Sequence, residues 1–239
     1  FSATNTTLNI LESVALGTRI ANVVKYDITK GQGSDIVFGC EDLVIFGLPV
    51  YSGRIPAITV EYLNRFKGNN TPAIIICVYG NRDYDDALLE LRDIAMANGF
   101  FIISAGAFIG QHSIFPATGQ NRPDMGDKEK AKAFGMESVK LLDNLSDIST
   151  IPVIEVKGNN PYKEPKPIPL APKGNRKCDN CGKCVRNCPV GAIDANTPRK
   201  TDKSLCIACA RCIYVCPQNA RSFTGILYKL ASGKFVKAY

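Results

Sequence analysis

Apolar residues along positions 1–157 alternate between short continuous runs and longer stretches spaced three and four apart. The runs at 23–26, 43–46, 73–78 and 100–104 predict strands buried on both faces. Between them, 7–16, 57–64, 85–98 and 127–144 carry the spacing of amphipathic helices, with Gly17 and Gly99 as stop signals. Strand and helix in alternation predict an α/β fold, a parallel sheet covered by helices. The first strand of such a sheet is expected upstream of Ser2.

Neither period survives beyond that point. Residues 158–177 hold five prolines and predict a semi-extended linker, assigned to 158–174, between a domain at 1–157 and a smaller one at 175–223. Fully polyproline-like, this stretch would span up to ~60 Å, so the sequence leaves the domain separation open. The tail at 224–239 is rich in apolar residues and is expected to pack back on one of the domains.

Composition narrows the class. The 239 residues are 45% apolar, enough for a substantial core. With no apolar run of about 18 residues and no charged-then-apolar leader, neither a membrane span nor a signal peptide is expected, and the location predicted is cytoplasmic. Ten cysteines would suggest disulfides in a small secreted chain, but eight lie between positions 178 and 216, a distribution that points to metal and a reducing compartment. Cys40 and Cys77 are expected as buried core thiols. Residues 173–239 carry 13 Lys and Arg against 3 Asp and Glu, while the remainder is slightly acidic. Much of that basic surface is read as counterion to bound clusters, and no aromatic-basic motif or dense cationic run points to nucleic acid.

The cysteines form a duplicated pattern, Cys178-x2-Cys181-x2-Cys184-x3-Cys188-Pro189 and Cys206-x2-Cys209-x2-Cys212-x3-Cys216-Pro217. Zinc sites generally use two separated pairs, and disulfides need no such cysteine-proline repeat. Three closely spaced thiolates suit three corners of an iron–sulfur cubane, and in two-cluster modules the fourth ligand comes from the other repeat. Cys178, Cys181, Cys184 and Cys216 are therefore assigned to one 4Fe-4S cluster, and Cys206, Cys209, Cys212 and Cys188 to the second. The segment resembles bacterial two-cluster ferredoxins over about 175–223, a small α+β domain, which implies one-electron transfer.

Three loops follow predicted strands at the edge where open α/β sheets bind ligands. The first holds Ser2, Thr4, Asn5, Thr6 and Thr7 at a helix start, chemistry suited to a phosphate or to simple capping. A second, with Pro49, Val50, Tyr51, Ser52 and Gly53, and a third, with Tyr79, Gly80, Asn81 and Tyr84, offer rigid turns and flat aromatic faces. With the linker and the cysteines, the chain resembles flavodoxin–ferredoxin fusion proteins of anaerobic bacteria and archaea. That resemblance implies a flavodoxin-like doubly wound sheet with FMN, its phosphate on the first loop and its isoalloxazine ring between the other two. The flavodoxin-type Ser/Thr-x-Thr-x-x-Thr pattern falls on Ser2, Thr4 and Thr7, with Ala3 and Asn5 where flavodoxins commonly carry glycine.

Arg54 is open to two roles, favouring a reduced anionic flavin or standing as a solvated charge. His112, the only histidine, is open to proton relay, partner binding or a structural hydrogen bond. The function expected is an electron-transfer flavo-iron-sulfur protein passing electrons between FMN and two 4Fe-4S clusters and on to a redox protein, as monomer or homodimer. The alternatives are a flavin-dependent oxidoreductase acting on a quinone or nitro compound, and a flavin-free, cluster-based redox-sensing module.

Overall fold

The computed structural model describes residues 1–31, 33–144, 152–166 and 168–239. Its α/β part is organised by strand β4 (Thr71–Tyr79), whose run of isoleucines is flanked by parallel neighbours β2 (Val44–Pro49) and β5 (Phe100–Ile109). Burial on both faces explains why the run is apolar without alternation. On one face Ala73, Ile75 and Cys77 meet Leu88, Leu91 and Ala95 of α3 (Ala87–Ala97). On the other, Ile74, Ile76 and Val78 meet Ile10 and Val14 of α1 (Thr6–Thr18) and Ala131 of α4 (Met125–Asp143).

Helices α1 and α4 approach closely at two glycines. A Cβ on Gly17 would lie 1.9 Å from the Lys132 carbonyl oxygen, and one on Gly135 would lie 2.1 Å from that of Val14. Gly17 is thus a contact residue inside α1 rather than its stop, and Arg19 ends the helix in the left-handed region at φ 60°. Gly99, at φ 88° just beyond α3, does stand at a helix end.

One expected strand is absent. Residues 23–26 lie outside any strand, with Val24 72% exposed, because the two valines and Tyr26, interrupted by Lys25, have no layer to cover both faces. A short parallel pair forms instead between β1 (Ile36–Phe38) and β3 (Phe66–Gly68), and Tyr26 contributes only its ring edge to Phe38 and Phe66. Strand β5 runs five residues beyond its predicted end at Ser104, through small residues that gave no apolar run. Helix α2 (Ile58–Leu63) lies within its predicted span.

The proline-rich segment is not a free spacer. Asp86, fully buried at the start of α3, accepts hydrogen bonds from the Asn159 amide and side chain, both 2.9 Å, and from the Lys163 amide at 2.7 Å. Tyr162 donates to Asp93 at 2.6 Å, with the Arg54 guanidinium 4.5 Å above its ring.

The cysteine-rich part adds the antiparallel pair β6 (Lys173–Gly174) and β7 (Arg221–Ser222), with short helices α5 (Lys183–Arg186) and α6 (Arg211–Tyr214). The tail forms α7 (Ile226–Ala238), whose Tyr228 and Phe235 pack on Phe115 in the loop after β5. Among the described residues no helix is long and apolar enough to cross a membrane.

Burial pushes the Asp86 carboxyl up, but the Lys163 and Asn159 donors outweigh it and hold the group below the usual carboxylate range. Its stabilisation is therefore present above the unfolded carboxylate pKa and is lost as pH falls through the folded value. Asp86→Ala is expected to lower unfolding free energy by about 2–3 kcal/mol at pH 7. Denaturant titration should show that deficit shrinking in acid, and limited proteolysis should cut the 158–166 segment faster in the variant.

Candidate functional site

The duplication in the cysteine pattern is written into the backbone. Asn180 and Gly182 in the first repeat, and Ala208 and Ala210 in the second, all adopt positive φ between 53° and 69°. Gly191 and Asn219, each three residues after its repeat's last cysteine, do the same at 64° and 47°. These left-handed positions curl each Cys-x2-Cys-x2-Cys segment around a point, and the alanines hold a conformation that normally favours glycine.

Each curl closes on a partly open void. One is lined by Cys178, Cys181, Cys184 and Cys216, and the other by Cys188, Cys206, Cys209 and Cys212. Amides aim at the sulfurs: Ala192 at Cys188, 3.2 Å; Ala220 at Cys216, 3.3 Å; and Ala208 at Cys206, 3.4 Å. Among the described residues no three His, Cys, Asp or Glu side chains converge as they would on a single ion; the thiols stand apart around a space.

Burial pushes the Cys209 thiol up to about 12, with the Arg211 amide pulling the other way, and it also raises Cys206 and Cys212. Thiolates at these positions call for a strong local cation, as iron supplies. The Nε atoms of Arg211 and Arg221 are buried without a hydrogen-bond partner, at the walls of the two voids. Unpaired donors beside thiol-lined spaces fit an anionic cluster.

The second cysteine repeat is seated on the carboxyl edge of the parallel sheet. Cys209 and Ile207 join the apolar cluster that contains Phe1, Leu48 and Tyr51. Arg211 donates to the Ala3 carbonyl at 3.1 Å, and Asn5 donates to the Tyr214 hydroxyl at 2.9 Å. Two of the three predicted loops thus lie against the cysteine module.

In the first loop, Asn5 takes the left-handed turn at φ 62° where flavodoxins favour glycine. Ser2 Oγ accepts from the Leu8 amide at 3.0 Å, Thr4 and Thr6 hydroxyls meet at 3.1 Å, and Thr7 is buried. The amides of Thr4, Thr6 and Thr7 donate to no protein acceptor among the described residues, leaving donors at the positive end of a 13-residue helix.

The second loop is a tight turn closed by reciprocal backbone bonds between Tyr51 and Arg54 at 2.8 and 3.1 Å. Pro49 ends β2, the Val50 amide donates to Val78, and Ser52 and Gly53 take the positive-φ positions of the turn. Ser52 Oγ donates to the Lys166 carbonyl, so the linker covers this loop. Tyr51 stands edge-on to Phe1 at 6.3 Å; burial, with Cys209 adding to it, raises its phenol well above the usual range. In the third loop Tyr79 and Tyr84 pack together at 5.6 Å, Asn81 donates to the Tyr239 carbonyl at 2.7 Å, and Gly80 abuts His112. Tyr51 and Tyr79 leave adjacent strands, one turned to Phe1 and the other to Tyr84.

The surroundings of Arg54, His112, Cys77 and Cys40 decide among the roles open to them. Arg54 is neither a solvated charge nor free to face a ligand: it forks onto Glu90 at 2.7 and 2.8 Å, because that carboxylate is buried beside it. His112 Nδ1 accepts the amides of Ile114 and Phe115 at 3.1 Å, and burial pushes its pKa down to about 4, so the neutral ring is a structural acceptor. Cys77 is fully buried, whereas Cys40 is exposed on the turn after β1, where no core reaches it. Arg211, Tyr214 and Arg221 carried no motif; only for Arg221 was a signal present, as its repeat counterpart is Ile193.

Residues 177–220 match the family described as 4Fe-4S dicluster domain. No curated protein matches the chain. The protein therefore joins an α/β part with parallel sheets to a ferredoxin-like 4Fe-4S dicluster domain, the chemistry of iron–sulfur electron transfer.

Serine substitution at Cys184 or at Cys216 is expected to remove the same half of the bound iron, and substitution at Cys188 or Cys209 the other half. Iron analysis with low-temperature electron paramagnetic resonance reads this directly; loss of different signals from Cys184→Ser and Cys216→Ser would refute the crossed grouping.

Proposed function

We propose that the chain is an electron-transfer flavo-iron-sulfur protein of the flavodoxin–ferredoxin kind. Residues 1–157 would hold FMN, 158–174 connect, and 175–223 hold two clusters that exchange electrons with a separate redox protein. The observation that carries this reading is the packing of Cys209 into the apolar cluster of Phe1 and Tyr51. It favours exchange within one chain over exchange across a homodimer.

In this reading Cys178, Cys181, Cys184 and Cys216 hold one cluster and Cys188, Cys206, Cys209 and Cys212 the other. Bound, FMN exchanges electrons singly or in pairs while each 4Fe-4S cluster exchanges one, so the three together convert between two-electron and one-electron carriers. The chain's part is to place and insulate them. The free amides of Thr4, Thr6 and Thr7, with the helix dipole behind them, suit a phosphate monoester. Arg211, bonded to the Ala3 carbonyl, ties that loop to the helix bearing Cys212. Tyr51, Tyr79 and Tyr84 supply flat apolar surface for a ring. Neither Arg54, held by Glu90, nor neutral His112 is free to deliver charge there.

Anaerobically purified protein is expected to carry about eight irons and one FMN per chain, with broad absorbance near ~400 nm. Eight irons without flavin, even after FMN is offered, would overturn the flavin half and favour a cluster-based sensing module. Turnover of a quinone or nitro compound without a protein partner would favour an oxidoreductase. FMN is further expected to bind about a hundredfold more tightly than riboflavin, since charge-assisted hydrogen bonds to phosphate contribute about 2.7 kcal/mol; calorimetry on the flavin-stripped protein checks this.

A further inference from the structure

Aligning the two cysteine repeats on their Cys-Pro steps sets Cys188-Pro-Val-Gly-Ala-Ile193 against Cys216-Pro-Gln-Asn-Ala-Arg221. Ile193 is 4% exposed and Arg221 3%, so the duplication places a guanidinium where its sister repeat buries a hydrocarbon. A long basic side chain is almost never buried to this degree unless something anionic compensates it.

The surroundings of Arg221 contain no carboxylate partner: among the described residues it joins no ion pair with Asp or Glu. Its donors reach the Pro172 carbonyl at 3.1 Å, the Pro198 carbonyl and the Thr201 hydroxyl. Those three neutral acceptors fix its plane without neutralising it. The remaining contact is a sulfur: Nη1 lies 3.9 Å from Cys184 Sγ, and Cys184 packs in one buried cluster with Cys212, whose thiol the guanidinium charge pulls down against the effect of burial. Cys184 lines one void and Cys212 the other. Arg221 itself walls the first void, its anchors Pro172 and Thr201 wall the second, and its Nε is buried with no partner.

We propose that Arg221 is a cation shared by the two cluster sites, donating to Cys184 of one set and anchored on the wall of the other, and that it sets the reduction potentials of both. The inference rests on the assignment of these eight cysteines to two clusters. Reduction adds a negative charge to a centre that is already anionic, and a fixed positive charge in a low-dielectric wall stabilises the reduced form more than the oxidised one. Arg221 therefore raises both potentials. Standing between the sites, it also offsets the repulsion that an electron on one cluster exerts on an electron arriving at the other. Burial shields it from salt, so the effect persists at high ionic strength.

The test compares native protein with Arg221→Gln and Arg221→Lys, each purified anaerobically, counted for iron and titrated potentiometrically with spectroscopic readout of both clusters. Arg221→Gln is expected to retain its iron and to shift both midpoints to more negative values. The shift corresponds to at least about a tenfold change in the oxidised-to-reduced ratio at fixed potential, or ~59 mV for a one-electron couple. Arg221→Lys keeps the charge without the planar fork, and its midpoints should fall between the two. A full iron complement with both midpoints unmoved in Arg221→Gln, or movement of one alone, would overturn the proposal and leave Arg221 as a structural brace. Should Arg221→Gln fail to assemble, Arg221→Lys decides: unchanged midpoints there overturn the proposal, and a shift of both upholds it. Native protein that binds no iron would instead defeat the cluster assignment itself.

Discussion

Cys209 lies in the same apolar cluster as Phe1, Leu48 and Tyr51, and much else in the molecule follows from that burial. A thiol so placed stays protonated on its own, and only a strongly cationic centre makes it a thiolate. The same burial draws the second cysteine repeat onto the carboxyl edge of the sheet, where Arg211 and Tyr214 then find the first loop. Packing of the module and chemistry of the module are thus one arrangement: the side chains that seat it are neighbours of those that line its second void.

Sequence pattern conveyed the elements whose physics is local. Strand β4 was legible because a central parallel strand must be apolar on both faces, and Thr71–Tyr79 is. The dicluster domain was legible because its chemistry is confined to closely spaced thiols and prolines. Residues 23–26 misled because two valines and a tyrosine within four residues suggest a strand without revealing whether any layer will cover them. The true end of β5 was hidden by Ala105, Gly106 and Ala107, too small to register as a run.

Parts of the candidate site were illegible for a different reason. His112, Arg54 and Asp86 are defined by partners two to 77 residues away, and no spacing rule anticipates which amide or carboxylate a side chain meets. Loop aromatics were visible as loop aromatics, yet which way Tyr51 turns depends on Phe1 and on a module more than 150 residues downstream. Arg221 is intermediate: nothing marks it in the linear text, but folding the text onto its own duplication exposes a charge at an apolar position.

The docking of residues 159–163 on Asp86 changes what kind of connection the proline-rich segment makes. A free tether of this length would hold its two ends at roughly millimolar effective concentration and let them part and meet by diffusion. Three hydrogen bonds to one buried carboxylate take away that search. The length of chain left to separate the two parts is then counted from the last anchored residue and not from position 158, which turns most of a nominal spacer into a piece of the α/β surface.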